Sequence, residues 1–176
     1  MKVVNFTKGF FLISDTHFWH TKLFFEFGLR KEFKNTEEVN KLIFENWNNT
    51  VSDDDYIFFL GDFVCGTYEH GLDKYKTAQT LYDCLNGKKV FILGSHDGHM
   101  GKYTKIPVIR GPIEILYKEK RILIDHEPIY TFEQELMIHG HVHKSLPFHH
   151  QPKMFNVSVE VVNYTPVHID KILKEV

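Results

Sequence analysis

FFLISDTHF, residues 10–18, sets four apolar residues, Phe10 to Ile13, directly before Ser14-Asp15-Thr16-His17. A short apolar run rich in aromatic and β-branched residues, bounded by polar ones, reads as a strand. A carboxylate and an imidazole stand at its end. The arrangement recurs along the chain. After Tyr56–Leu60 comes Gly61-Asp62, and after Val90–Leu93 comes Gly94-Ser95-His96-Asp97. After Arg121–Ile124 comes Asp125-His126-Glu127-Pro128, and after Glu135–Ile138 comes His139-Gly140-His141-Val142-His143. Any one of these is commonly a turn or a hydrogen-bonded loop residue. Together they point to one shared metal site, because ligands of α/β sheets collect beyond the carboxyl ends of strands and mixed His/Asp donors suit transition metals.

Further strands are expected at Ile113–Tyr117 and Met154–Val159, and MKVVNFTKGFFLISD reads as the first strand. Between the strands lie helical patterns. Thr36 is the expected N-cap of a helix with Glu37 and Glu38 in its first turn. Val39, Leu42, Ile43 and Trp47 then make one apolar stripe. A second helix is expected from about Asp73 to Leu85, stopped by Asn86-Gly87, and Pro166 is expected to open a short final helix. Strands alternate with helices in the first half, and the second half is mostly strands. That predicts an α/β fold whose sheet begins parallel and ends in hairpin-like pairings.

The chain has 176 residues, and no repeat or Pro/Gly/Ser linker divides it, so one domain over residues 1–176 is expected. With 16 Phe, 8 Tyr and 2 Trp it carries too much apolar surface for a disordered chain. No apolar run approaches the roughly 20 residues that span a bilayer. The N-terminal apolar stretch leads into acidic chemistry rather than a cleavage site, so a cytoplasmic protein with no membrane partner is expected. Cys65 and Cys84 are too few for a disulfide framework and read as free thiols. A formal net charge of -2 gives no basic footprint for long nucleic acid. The 12 His residues are a ligand-rich inventory.

The residue types have a chemical rationale. Two divalent ions about 3.5–4 Å apart can hold the attacking and departing oxygens of a phosphoryl displacement. Ions so close need an anionic group between them, which a carboxylate supplies, while neutral imidazoles keep the site from rejecting phosphate. The ordered series resembles the metallophosphoesterase (calcineurin-like) superfamily, whose pattern runs D-x-H, G-D, G-N-H-D, H and G-H-x-H. The match spans Asp15 to His143. SDTHFWH and the tail NVSVEVVNYTPV are similar in particular to short, cap-less bacterial and phage members.

The resemblance implies an α/β/β/α fold, a β-sandwich of two mixed sheets flanked by helices. It implies that Asp15, His17 and His143 bind one metal, that His126 and His141 bind another, and that Asp62 bridges them. His96 is implied as the group that stabilises the transition state or protonates the leaving oxygen, with Asp97 orienting its ring. The implied nucleophile is a metal-bound hydroxide. Two divalent ions are implied, Mn²⁺ first, with Fe, Zn or Ni as alternatives. Ser95 departs from the pattern, standing where Asn would ligate the second metal; a hydroxyl is shorter and a poorer ligand, so weaker second-site occupancy is expected.

Around that set, His20, Trp19, Tyr68 and Tyr103 are candidate substrate contacts, with Lys102 beside them. The HxH spacing suits an extended segment whose alternate residues project to opposite sides. His139 is expected to turn away from His141, and His149 and His150 read as a solvated loop. The expected function is hydrolysis of a small, nucleotide-like phosphodiester or phosphomonoester. A non-catalytic scaffold of the same fold and a nuclease are the alternatives.

Overall fold

The computed structural model describes residues 2–176. The apolar N-terminal stretch forms two strands rather than one: β1 (Lys2–Phe6) and β2 (Phe10–Ile13) are separated at Thr7-Lys8-Gly9 and join different sheets. β2, β3 (Tyr56–Phe59), β4 (Lys88–Ile92) and β5 (Val108–Ile109) run parallel in order in a five-stranded sheet. Helices α1 (Lys22–Phe25), α2 (Thr36–Thr50), α3 (Lys74–Cys84) and α4 (Met100–Tyr103) lie in the crossovers between these strands. The six-stranded sheet is formed by β1, β6 (Ile113–Tyr117), β7 (Lys120–Ile124), β8 (Leu136–His139), β10 (Met154–Asn156) and β9 (His149–Gln151), in that order. It is mixed, with β6–β7 and β9–β10 antiparallel and the other pairs parallel.

The N-cap of α2 is Asn35, not Thr36: the Glu38 N–H donates to the Asn35 side chain at 2.9 Å, and Glu38 accepts in turn from the Lys34 N–H. Asn is as good a cap as Ser, so the expectation missed by one residue. Val39, Ile43 and Trp47 are fully buried on its inner stripe, as the periodicity predicts. Pro166 does not open the last helix. Val167–His168 pair antiparallel with β2 as β11, and the His168 side chain caps α5 (Ile169–Leu173). Nor are His149 and His150 a loop. They form β9, with the His149 ring stacked on Phe155 at 4.4 Å.

Strand alternation divides the apolar residues into layers. Phe10, Leu12, Phe58 and Ile92 of the smaller sheet meet Ile115, Ile122, Ile124, Ile138 and Phe155 of the larger one between the sheets. The opposite faces, Ile13, Ile57, Phe59 and Phe91, pack under Val39, Ile43 and Trp47 of α2 and Ala78 of α3. The outer face of the larger sheet carries Leu123, Met137 and Met154, covered by Ile129 and Phe132.

One charged pair is sealed inside. Arg30 is 1% exposed, and its guanidinium reaches Glu160, whose side chain is wholly buried, at 2.8 Å. Arg30 also donates to the carbonyls of Thr16 and Asp15, at 3.0 and 2.9 Å. Its donors are spent on the β2 turn. Burial alone would raise the Glu160 carboxyl, but Arg30 and His143 outweigh it and hold it at about 2.

Two stability predictions follow from this packing. Trp47→Ala removes a fully buried indole that donates to the Asn86 carbonyl at 3.0 Å, and should cost about 3–5 kcal/mol in urea unfolding. Arg30→Met strands the buried Glu160 charge and should cost about 3–5 kcal/mol, with the Arg30→Met/Glu160→Gln double variant recovering part of the loss. A double-variant loss equal to the sum of the Arg30→Met and Glu160→Gln losses would show that the charge pair is uncoupled.

Candidate metal centre

The polar clusters lie past the carboxyl ends of β2, β3, β4, β7 and β8, and backbone hydrogen bonds bring them together. The Asp15 N–H donates to the Gly61 carbonyl, the His17 N–H to the Asp62 carbonyl and the Gly140 N–H to the His126 carbonyl, at 2.9 to 3.0 Å. Asp15, His17, Asp62, His141 and His143 all have positive φ, from 41° to 68°. Non-glycine residues rarely adopt this region, at a cost of about 1–2 kcal/mol each, and such residues cluster where geometry serves function. The HxH segment is therefore a tight turn rather than the extended strand end that its spacing suggested. It nonetheless separates its two imidazoles.

Donor atoms of Asp15, His17 and His143 lie within 4.8 Å of one another, and so do those of Asp62, His126 and His141. Asp62 sits between the two groups: its Oδ2 is 3.4 Å from His17 Nε2 and 3.5 Å from His126 Nε2. His141 Nδ1 stands 3.2 Å from His126 Nε2.

The two oxygens of Asp15 are treated unequally. Oδ2 accepts from the hydroxyls of Ser14 and Ser158 and from the His141 N–H, whereas Oδ1 is buried with no hydrogen-bond partner among the described residues. Both ring nitrogens of His17 are likewise buried and unpartnered. Bare buried donors and acceptors cost free energy unless something satisfies them. Burial also pushes the Asp15 carboxyl above its usual range and the His17 imidazole well below its own. An unprotonated imidazole beside a carboxyl whose ionisation a neighbouring cation would favour is a donor set fit for divalent metal.

Outer partners fix the other imidazoles. His143 Nδ1 is 2.9 Å from Glu160 Oε2, and His126 Nδ1 is 2.8 Å from the Leu60 carbonyl. Asn156 donates to the His143 and Leu146 carbonyls at 2.7 and 2.8 Å, holding the turn. Arg30, Asn156, Ser158 and Glu160 escaped the sequence reading as site residues. The trace that could have found three of them is the alternation in Asn156-Val157-Ser158-Val159-Glu160, polar on one side and apolar on the other. Arg30 had no pattern around it.

Asp97 does not orient the His96 ring. Its carboxylate accepts from the backbone N–H groups of Asp62, Phe63 and Gly94, at 2.7 to 3.0 Å, and so joins the β3 and β4 turns. His96 Nδ1 faces Cys65 Sγ at 3.8 Å instead, and its N–H donates to Asp62 Oδ1 at 2.7 Å. Ser95 Oγ donates to Asp62 Oδ2 at 3.2 Å. His139 turns away, buried, with Nε2 on His150 at 2.8 Å.

Two cavities reach this region. One, of about 350 Å³, is lined by His17, His20, Asp62, His96, His141 and His143, with Leu23, Phe27 and Leu29 on its far wall. The other, of about 550 Å³, is lined by Arg110, Asp125, His126 and Glu127, and Ser95 lines both. Of the proposed substrate contacts only His20 is in either lining. The Trp19 ring packs on His70 at 5.1 Å, Tyr68 is 73% exposed and donates to Glu69, and Tyr103 packs on Tyr75 beside Lys102, in a separate depression. Trp19 and Tyr103 pack on their neighbours and Tyr68 stands in solvent, and none of the three lines either cavity.

The sequence pattern of the calcineurin-like phosphoesterase family matches residues 9–175. The chain is 37% identical to the uncharacterized protein MJ1445 of Methanocaldococcus jannaschii, over 93% of this chain and 89% of that one. The crystal structure of a protein of unknown function, AQ665 from Aquifex aeolicus, superposes with a TM-score of 0.70 at 23% identity, covering 96% of this chain and 99% of the other, a likeness of fold. The ordered loop clusters, two mixed sheets with flanking helices and a pattern match over nearly the whole chain lead to one assignment: this chain belongs to the calcineurin-like phosphoesterase family.

Proposed function

We propose that the protein hydrolyses a phosphodiester, with a phosphomonoester as the lesser substrate, using two divalent cations, Mn²⁺ foremost. The observation that carries this reading is the Asp62 carboxylate lying 3.4 and 3.5 Å from imidazoles of two separate ligand groups. Asp15, His17 and His143 would hold one ion and His126 and His141 the other, with Asp62 shared. When bound, such ions supply Lewis-acid polarisation of phosphoryl oxygens and acidify water toward neutral pH.

The chain's own groups do the rest. His96, at the rim of the smaller cavity with its backbone fixed on Asp62, carries the proton to the leaving oxygen. Asp97 is a positioning residue, because the Asp62 N–H that it accepts sets where that carboxylate stands. Cavities on both sides of Ser95 favour a diester, with room for one ester arm in each. The apolar wall of Leu23, Phe27 and Leu29 suits a base or aryl group, and the polar cleft suits a sugar-like arm.

The protein supplied with Mn²⁺ should hydrolyse bis-p-nitrophenyl phosphate faster than the monoester, and chelation should abolish turnover. His96→Ala should lower kcat by about 10²–10⁴-fold with the bound metal retained. No hydrolysis of either ester with Mn²⁺ present would favour the non-catalytic scaffold. Ser95→Asn exchanges a hydroxyl for a longer amide donor beside Asp62, and should tighten the weaker metal-binding step in calorimetry and raise turnover. Unchanged metal affinity would show that residue 95 does not reach the ion.

A further inference from the structure

His17 differs from His126 and His143 of the same centre. A ligating imidazole almost always gives its second nitrogen to a carboxylate, a carbonyl or water, which fixes the ring. His143 has Glu160 and His126 has the Leu60 carbonyl in that role. Among the described residues His17 has no hydrogen bond on either nitrogen, its Nε2 standing 3.4 Å from Asp62 Oδ2, although the residue is only 2% exposed. The same deficit appears next to it. His20 is 9% exposed, its Nδ1 is buried without a partner, and its ring centroid is 5.2 Å from that of His17.

The third group at this place is Cys65. One donor atom from each of His17, His20 and Cys65 lies within 4.8 Å of the other two, the same closeness that defines the Asp15 and Asp62 sets. Two imidazoles and a thiolate match the preference of a thiophilic ion, and three protein donors leave a fourth tetrahedral position open. Unlike the carboxylate-bearing sets, this group contains no oxygen donor, so its selectivity differs from theirs.

We propose that His17, His20 and Cys65 form an additional divalent-cation site, selective for a thiophilic ion such as Zn²⁺ over Mn²⁺. The site shares only His17 with the ligand sets of the proposed hydrolase, and it rests on that reading only at this residue. Because His17 also belongs to the Asp15 set, the further ion would take its other nitrogen, so that His17 would bridge as an imidazolate and Cys65 would bind as a thiolate, with both protons passing to solvent. Because Cys65 Sγ is 3.8 Å from His96 Nδ1, the ion occupies the flank of the proposed proton donor.

Cobalt titration of the metal-free full-length protein tests this directly, since thiolate ligation gives a sulfur-to-cobalt charge-transfer band in the near ultraviolet. The wild type should show the band. Cys65→Ser should lose it and bind one fewer cobalt ion per chain by elemental analysis, whereas Cys84→Ser, at the other free thiol, should keep both. His20→Ala should weaken the band's titration midpoint by at least about tenfold. A wild type saturated with cobalt but lacking the band, or a band that survives Cys65→Ser, overturns the proposal. Hydrolysis without the band leaves the phosphoesterase reading standing alone, and a Cys65-dependent band without hydrolysis leaves the cation site standing alone.

Discussion

Val157 donates its N–H to the His139 carbonyl at 2.8 Å and accepts the Ser14 N–H at 3.0 Å, so a single residue hydrogen-bonds to both sheets at their carboxyl ends. Val159 continues the seam by donating to the Ser14 carbonyl. The side chains of this segment serve two masters. Val157 fills the core between the sheets and Val159 the core beneath the helices, while Asn156, Ser158 and Glu160 point to the other side. There they hold the His143 turn, the Asp15 carboxylate and the His143 ring. Without this seam the two halves of the ligand set would be held by apolar packing, which sets position loosely, and by side-chain links such as His126 Nδ1 on the Leu60 carbonyl. Hydrogen bonds provide the register that packing lacks.

A second constraint is the concentration of left-handed backbone at Asp15, His17, Asp62, His141 and His143. Such conformations persist only where the surroundings over-determine them. Here the surroundings are identifiable: Arg30 on the carbonyls of Asp15 and Thr16, Asp97 on the N–H groups of Asp62 and Phe63, and Gly140, where an added Cβ would collide with Ser14 and Asp15. Each is buried or backbone-directed. The centre is thus held from behind, with Asp15 Oδ1 and both ring nitrogens of His17 without hydrogen bonds among the described residues.

The sequence made the strands and the carbonyl-end clusters legible because both follow from local pattern. Four-residue runs such as Phe10–Ile13 and Tyr56–Phe59 have few alternatives, and the acidic and imidazole residues stand immediately after them. What it hid depends on distance along the chain. Arg30 and Glu160 lie 130 residues apart, and nothing near Arg30 distinguishes it from a solvated arginine. Asp97 was misassigned for a related reason: adjacency to His96 suggested a partner, whereas the carboxylate reaches back 35 residues to Asp62. The rim residues stand apart for another reason. Trp19, Tyr68 and Tyr103 sit in the right loops, but which way an aromatic ring turns is decided by neighbours such as His70 and Tyr75 that no local spacing reveals.

Ser95 lines both cavities, and its hydroxyl donates to Asp62 Oδ2. A side chain at this position therefore bears on two depressions and on the carboxylate set between both ligand groups, so any exchange there is felt in three places at once.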